Sequence, residues 1–173
     1  DWGTIFTKDR LEVSAGLSAA PYIVFTAMMI FGRLFIHKLL PYAPLELWAK
    51  RAAILGGFGF GGSIVIATHL PEEMKWWSFG LFILGFFLGG LGSSFLGPSV
   101  FRAATRRSSL PNAIVVGQLG VVNNIMVFII KWIVAWTMQL TGSIALAMMI
   151  PVAMLLASTF FLYVLNEDQG IKS

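Results

Sequence analysis

Lys131 is the one charged residue standing well inside a long apolar run of this chain. An ammonium held at membrane depth faces a cavity or a partner, because hydrocarbon solvates it poorly. It lies about two to three helical turns before Gly142. From there its stem can also lie in lipid while the charge snorkels among headgroups. Asn124 and Gly120 precede it by seven and eleven residues, which places all three on nearly one helical face. Gln118, Asn123 and Asn124 donate and accept hydrogen bonds. Such amides suit a polar solute, and equally suit bonding between helices. A second stripe, Ser14, Ser18, Tyr22 and Thr26, recurs every four residues. It serves packing and backbone bonding, and Tyr22, with ring and hydroxyl, is its candidate for ligand contact. These residues bind and orient; none is a nucleophile with a base beside it.

Catalytic and metal chemistry find no support. No acidic residue lies within an apolar run, so no Ser-His-Asp set can be assembled there. The chain has no cysteine, and no His/Asp/Glu cluster has ligand spacing. His37 and His69 are expected on opposite membrane faces, which excludes a shared haem. The expectation is therefore no enzyme, no metal and no cofactor. The glycines at 56, 57, 59, 61 and 62 lack the Lys-Ser/Thr ending of a phosphate loop and read as packing positions. Gly85 and Gly89 form a small-xxx-small surface. Gly97-Pro98 supplies a bend that could gate a cavity, since proline removes a helical hydrogen bond.

The elements that must position these groups are membrane helices. Of the 173 residues, 57% are hydrophobic and 12% charged, which excludes an ordinary soluble domain. Five apolar runs are long enough to cross a bilayer core of about 30 Å: Val13–Ile36, Ala52–Thr68, Trp76–Phe101, Ala113–Met138 and Ile144–Leu165. They do not alternate as barrel strands do, and lipid leaves the backbone no partner outside the helix. The fold expected is all-α: a single polytopic transmembrane bundle of five helices over residues 1–173. Of its cations, Arg33, Lys38, Lys50, Arg51, Arg102, Arg106, Arg107 and Lys172 fall on one side, against Lys8, Arg10 and Lys75 on the other. The positive-inside rule then puts the first set and the C-terminus in the cytoplasm, and the N-terminus outside. The net charge of +4 belongs to that pattern and not to nucleic-acid binding. Trp76, Trp77, Trp132 and Trp136 fall near the outer interface, and Trp48 near the inner one. The second and fifth runs are almost purely apolar and are expected to face lipid; the other three carry polar faces and suggest a polar pathway.

Several features together resemble the C-terminal half of a major facilitator superfamily transporter. Gly32-Arg33-Leu34-Phe35-Ile36-His37-Lys38, ending the first helix, resembles that superfamily's signature loop, with His37 standing at the position of its acidic residue. Asp1-Trp2, Gly-Leu-Gly-Ser-Ser at 90–94 and Gly97-Pro98 resemble the fucose-permease-like branch and its bacterial relatives. The resemblance spans the chain as helices eight to twelve of such a transporter. It implies that Trp76–Phe101 lines the cavity and that Val13–Ile36 and Ala113–Met138 lie along the interface with the other half. It further implies that the chain is part of a longer one, a seventh helix preceding Asp1. The expected function is a secondary or facilitative permease of the inner membrane, moving a small polar solute by alternating access. Its partners would be the bilayer and the N-terminal half. The alternative is a non-transporting membrane subunit that scaffolds a larger complex.

Overall fold

In the computed structural model the described residues are 4, 5, 7, 8, 14–39, 41–43 and 45–161. Asp1, Trp2 and Val13, and the expected end of the last helix at 162–165, lie outside them. A single helical turn, Ala15–Ser18, leads into α1 (Ala20–Leu39). Then follow α2 (Leu45–His69), a 3-10 turn at Glu72–Met74, α3 (Lys75–Ser94) and α4 (Leu96–Arg107). The chain continues with α5 (Asn112–Thr141) and α6 (Ile144–Phe161). With α3 and α4 taken as one crossing, five helical spans are long and apolar enough to cross a membrane, and no strand occurs among the described residues. The protein is an all-α multi-pass bundle whose connections are short enough to turn each crossing back along its predecessor.

Local chemistry sets the boundaries. Pro111 precedes α5 and its carbonyl accepts the amides of Ile114 and Val115 at 2.9 and 3.3 Å. Gly142 ends the helix in the left-handed region at φ 65°, its N–H returning to the Met138 carbonyl at 2.9 Å. Glycine adopts that conformation without a Cβ penalty. Ser143 then caps α6 by accepting the Leu146 amide. Helix α2 starts seven residues earlier than the apolar run implied, taking in Trp48, Lys50 and Arg51. Helical geometry continues past the hydrocarbon boundary wherever the backbone can bond to itself.

Helix contacts run in the order α1–α3–α2–α6–α5, and the beginning of α5 returns to α4. The main core lies between α2, α3 and α6: Phe60, Ile64 and Ala67 from α2, Phe82 and Phe86 from α3, and Ile144, Met148 and Val152 from α6. Phe86 meets Phe60 edge-on at 4.8 Å between ring centroids, and Phe25 of α1 at 6.2 Å. The Ser78 hydroxyl ties α3 to the end of α2 by donating to the Ala67 carbonyl at 2.8 Å.

The expectation that the second helix faces lipid is corrected. In an 18-residue apolar stretch of Leu47–His69, 44% of residues are buried, as against 6% for Asn112–Thr141. Its glycines bring backbone against backbone. A Cβ on Gly56 would stand 2.7 Å from the Gly92 Cα and 2.8 Å from the Leu88 carbonyl oxygen. Likewise a Cβ on Gly85 would collide with the Ser63 side chain of α2. Lipid tails are as apolar as leucine, so polarity does not sort core helices from outer ones; small residues do.

Candidate functional site

Helix α5 carries Gln118, Asn123, Asn124 and Lys131, and all four are exposed. None of them makes a hydrogen bond or ion pair with a described residue. Their reading as glue between helices therefore finds no support within this bundle, Asn123 included. The helix is held at two places. Val134 is buried and Met138 packs on the core towards its C-terminal end, while Val115 is buried near its beginning, the part that meets α4. Between these anchors residues 121–129 are exposed without exception. Nine successive residues sample every direction around a helix, so this stretch stands clear of the bundle for about 13 Å.

Asn123 and Asn124 fall inside that free stretch, and Lys131 lies two turns beyond Asn124 on the same face. On this face Gly117 and Gly120 would each place a Cβ in open space, with nothing within 4 Å. The result is a seam of small residues, an amide and an ammonium. It offers donors to an anion or a polyol and acceptors to its hydroxyls. Trp132 and Trp136 stack at 5.4 Å between centroids just beyond Lys131. Amphipathic rings of this kind mark the headgroup level, within reach of the lysine's stem.

Tyr22 is exposed on the first turn of α1, at the opposite end of the contact order from α5. The structure does not bring it to the amides, because α1 packs on α3 and α5 on α6 and α4.

A second group forms where α3 gives way to α4. The expected bend at Gly97-Pro98 appears as an interruption at Phe95, two to three residues earlier. The offset follows from helix bonding: Pro98 has no amide to give the carbonyl four residues before it, that of Ser94. The Ser94 hydroxyl donates to the Leu91 carbonyl at 2.7 Å. Regular bonding resumes with the Ser99 amide and hydroxyl, both donating to the Phe95 carbonyl. Phe95 keeps helical dihedrals (φ −87°, ψ −21°), so the break is in hydrogen bonding and not in direction of travel.

Gly32 and Arg33 of α1 meet this break. A Cβ on Gly32 would collide with the Ser94 side chain, so α1 and α3 touch there at glycine distance. The Arg33 guanidinium reaches within 3.5 Å of where a Cβ on Gly97 would lie, and its Nη2 is 3.7 Å from the Met29 sulfur. Lys38 stands over the Phe35 ring at 5.3 Å, and His37 lies on the last turn of α1. Gly32, Arg33, Gly97 and the Pro98 break thus share one locality.

Sequence reasoning missed two tethers. Thr7 is fully buried, its hydroxyl donating to the carbonyls of Thr4 and Ser18 at 3.0 and 3.1 Å. The Trp48 indole donates to the Leu39 carbonyl at 3.0 Å, fastening α2 to the end of α1. The bonding capacity of the Trp48 indole was a signal; Thr7, in a short polar lead-in, gave none. His69 has its Nδ1 2.8 Å from the Val65 carbonyl of its own helix, a local bond. Among the described residues no three His, Cys, Asp or Glu gather as a metal site. No protein-family model matches the chain, and neither a curated protein nor a solved structure matches it.

Proposed function

We propose that this chain forms part of a secondary or facilitative transporter that moves a small polar solute by alternating access. The observation that carries the reading is the free stretch of α5. Amides left towards hydrocarbon are costly, so Asn123 and Asn124 call for water, a solute or a partner at membrane depth. Lys131 adds a cation to the same face, which suits a sugar-like or organic anionic solute. The α3–α4 interruption supplies motion. It separates the part of that crossing packed on α1 and α2 from the part that supports the beginning of α5, so tilting α4 about Phe95 would shift the anchor of the polar stretch. Rigid segments moving about a midplane site are how alternating access works. The reading agrees with the resemblance to the C-terminal half of a major facilitator transporter, with the other half closing the pathway. It also places the chain in the inner membrane with its C-terminus cytoplasmic.

The test is uptake by cells expressing the full-length gene product, against a panel of labelled neutral sugars and organic anions. Asn124→Ala and Lys131→Ala are expected to lower uptake of one panel member at least tenfold, with unchanged amounts of protein in the membrane. Full uptake by both variants rejects the site. The scaffold reading draws on Gly117 and Gly120, whose open seam also suits another membrane helix. A chain that transports nothing yet co-purifies with a membrane partner through that seam would establish it instead.

A further inference from the structure

Seven cations gather at one end of the bundle. Arg33 and Lys38 lie on the last two turns of α1, Lys50 and Arg51 on the first two of α2, and Arg102, Arg106 and Arg107 on α4. Glu46 is the only acid on these segments. At the other end the described residues Lys8 and Lys75 are balanced by Glu72 and Glu73.

An apolar knot draws the cationic ends together. Ile36 of α1, Ala49 of α2 and Phe95 are buried as one cluster, with Leu39, Leu45, Ala52 and Leu96 packed around them. Arg33, Lys38, Lys50 and Arg51 flank this knot, are exposed, and make no ion pair with a described residue. The Met29 sulfur stands by Arg33 and the Phe35 ring by Lys38. The α4 arginines have interactions of their own.

Depth and surroundings identify the occupant. Trp48 is half-buried beside the knot and Tyr42, in the adjoining turn, is 83% exposed. Rings with a polar edge settle at the headgroup level of a bilayer. Phosphates of anionic lipids lie at that level, and each basic residue near the surface attracts them by about 1 kcal/mol. A guanidinium takes two phosphate oxygens at once. On the face of α1 that Lys38 shares, the two turns leading to this end expose Phe31 (49%), Leu34 (69%) and Phe35 (38%). That surface suits acyl chains and offers nothing to a free anion.

We propose that this end of the bundle binds anionic phospholipid, with Arg33, Lys50 and Arg51 holding headgroup phosphates and the Phe31–Leu34–Phe35 surface of α1 carrying acyl chains. Lipid binding at this end does not depend on transport.

Binding is measured on the purified protein in neutral detergent by native mass spectrometry, with phosphatidylglycerol, phosphatidylcholine and, as the source of free phosphate monoester, glycerol 1-phosphate. Phosphatidylglycerol is expected to bind in preference to phosphatidylcholine, and more weakly as salt is raised. Arg33→Gln, Lys50→Gln and Arg51→Gln should each weaken it about fivefold, and the triple variant roughly a hundredfold. Lys75→Gln, at the other end, should leave it unchanged. The charge-keeping set Arg33→Lys, Lys50→Arg and Arg51→Lys should retain the preference, which separates loss of charge from loss of fold. Equal binding of the two lipids, wild-type preference in the single Gln variants, or loss in Lys75→Gln as large as theirs overturns the proposal. Binding of glycerol 1-phosphate as tight as that of the lipid overturns it in favour of a free-anion site.

Discussion

Gly56 and Gly120 are the same residue type in apolar helices, yet they occupy opposite environments. At Gly56 an added methyl would meet the backbone of α3, at the Gly92 Cα and the Leu88 carbonyl, and backbone cannot step aside as a side-chain tip can. Gly56→Ala is therefore expected to push α2 from α3, costing about 1–3 kcal/mol as overpacking does. At Gly120 the methyl meets open space. Gly120→Ala should leave the bundle as stable as before, or stabilise it by up to about 1 kcal/mol through helix propensity. Thermal unfolding of the two variants in detergent checks this; equal losses would mean that α5 is packed along its middle. The chemistry of the candidate site was legible at this scale, since the types and spacing of Asn124 and Lys131 define a polar face without any structure. Its exposure was not. Whether an amide bonds to a neighbouring helix depends on where that helix runs, and residues 121–129 carry no mark that their neighbours part from them.

Five spans could be read from the chain because roughly twenty apolar residues have one way to cross a membrane. Their order of packing could not. Want of polar residues predicts a lipid-facing α2, although its glycines at 56 and 59 and Ser63 are what seat it against α3. In lipid, hydrophobicity says that a helix is inserted and leaves its place in the bundle to shape. The α3–α4 crossing shows the opposite case, because proline acts through the backbone and its effect can be located. Restoring an amide with Pro98→Ala would let residue 98 bond to the Ser94 carbonyl and carry the helix unbroken through Phe95. Hydrogen exchange across residues 95–102 should slow, and stability should rise by up to about 3 kcal/mol. If the break is the moving joint of a transporter, uptake should fall although the protein is more stable. Unaltered exchange would show that packing of Phe95 among Ile36 and Ala49, and not the proline, maintains the interruption.

Charge is distributed over the molecule as a whole in a way that its helices, taken singly, do not reveal. The short connections bring the end of α1, the start of α2 and the end of α4 to one pole, and the cations go with them, while Glu72 and Glu73 sit at the other. The positive-inside rule predicts that this asymmetry keeps the basic pole in the cytoplasm, because basic segments resist translocation. The chain has no cysteine, so single cysteines can report the side of each pole without removing any native thiol. Tyr42→Cys and Ser109→Cys lie in exposed connections at the basic pole, and Glu73→Cys and Leu140→Cys are exposed at the other. In intact cells a membrane-impermeant maleimide should label only the residue 73 and residue 140 variants. The residue 42 and residue 109 variants should react once the membrane is opened. Splitting of either pair between the two sides would contradict the five-span topology. Joint reversal of both pairs would keep the bundle and invert its orientation, placing the basic pole outside. The pairs thus separate two arguments: helix length and connection decide which residues travel together, and charge alone decides which side they reach.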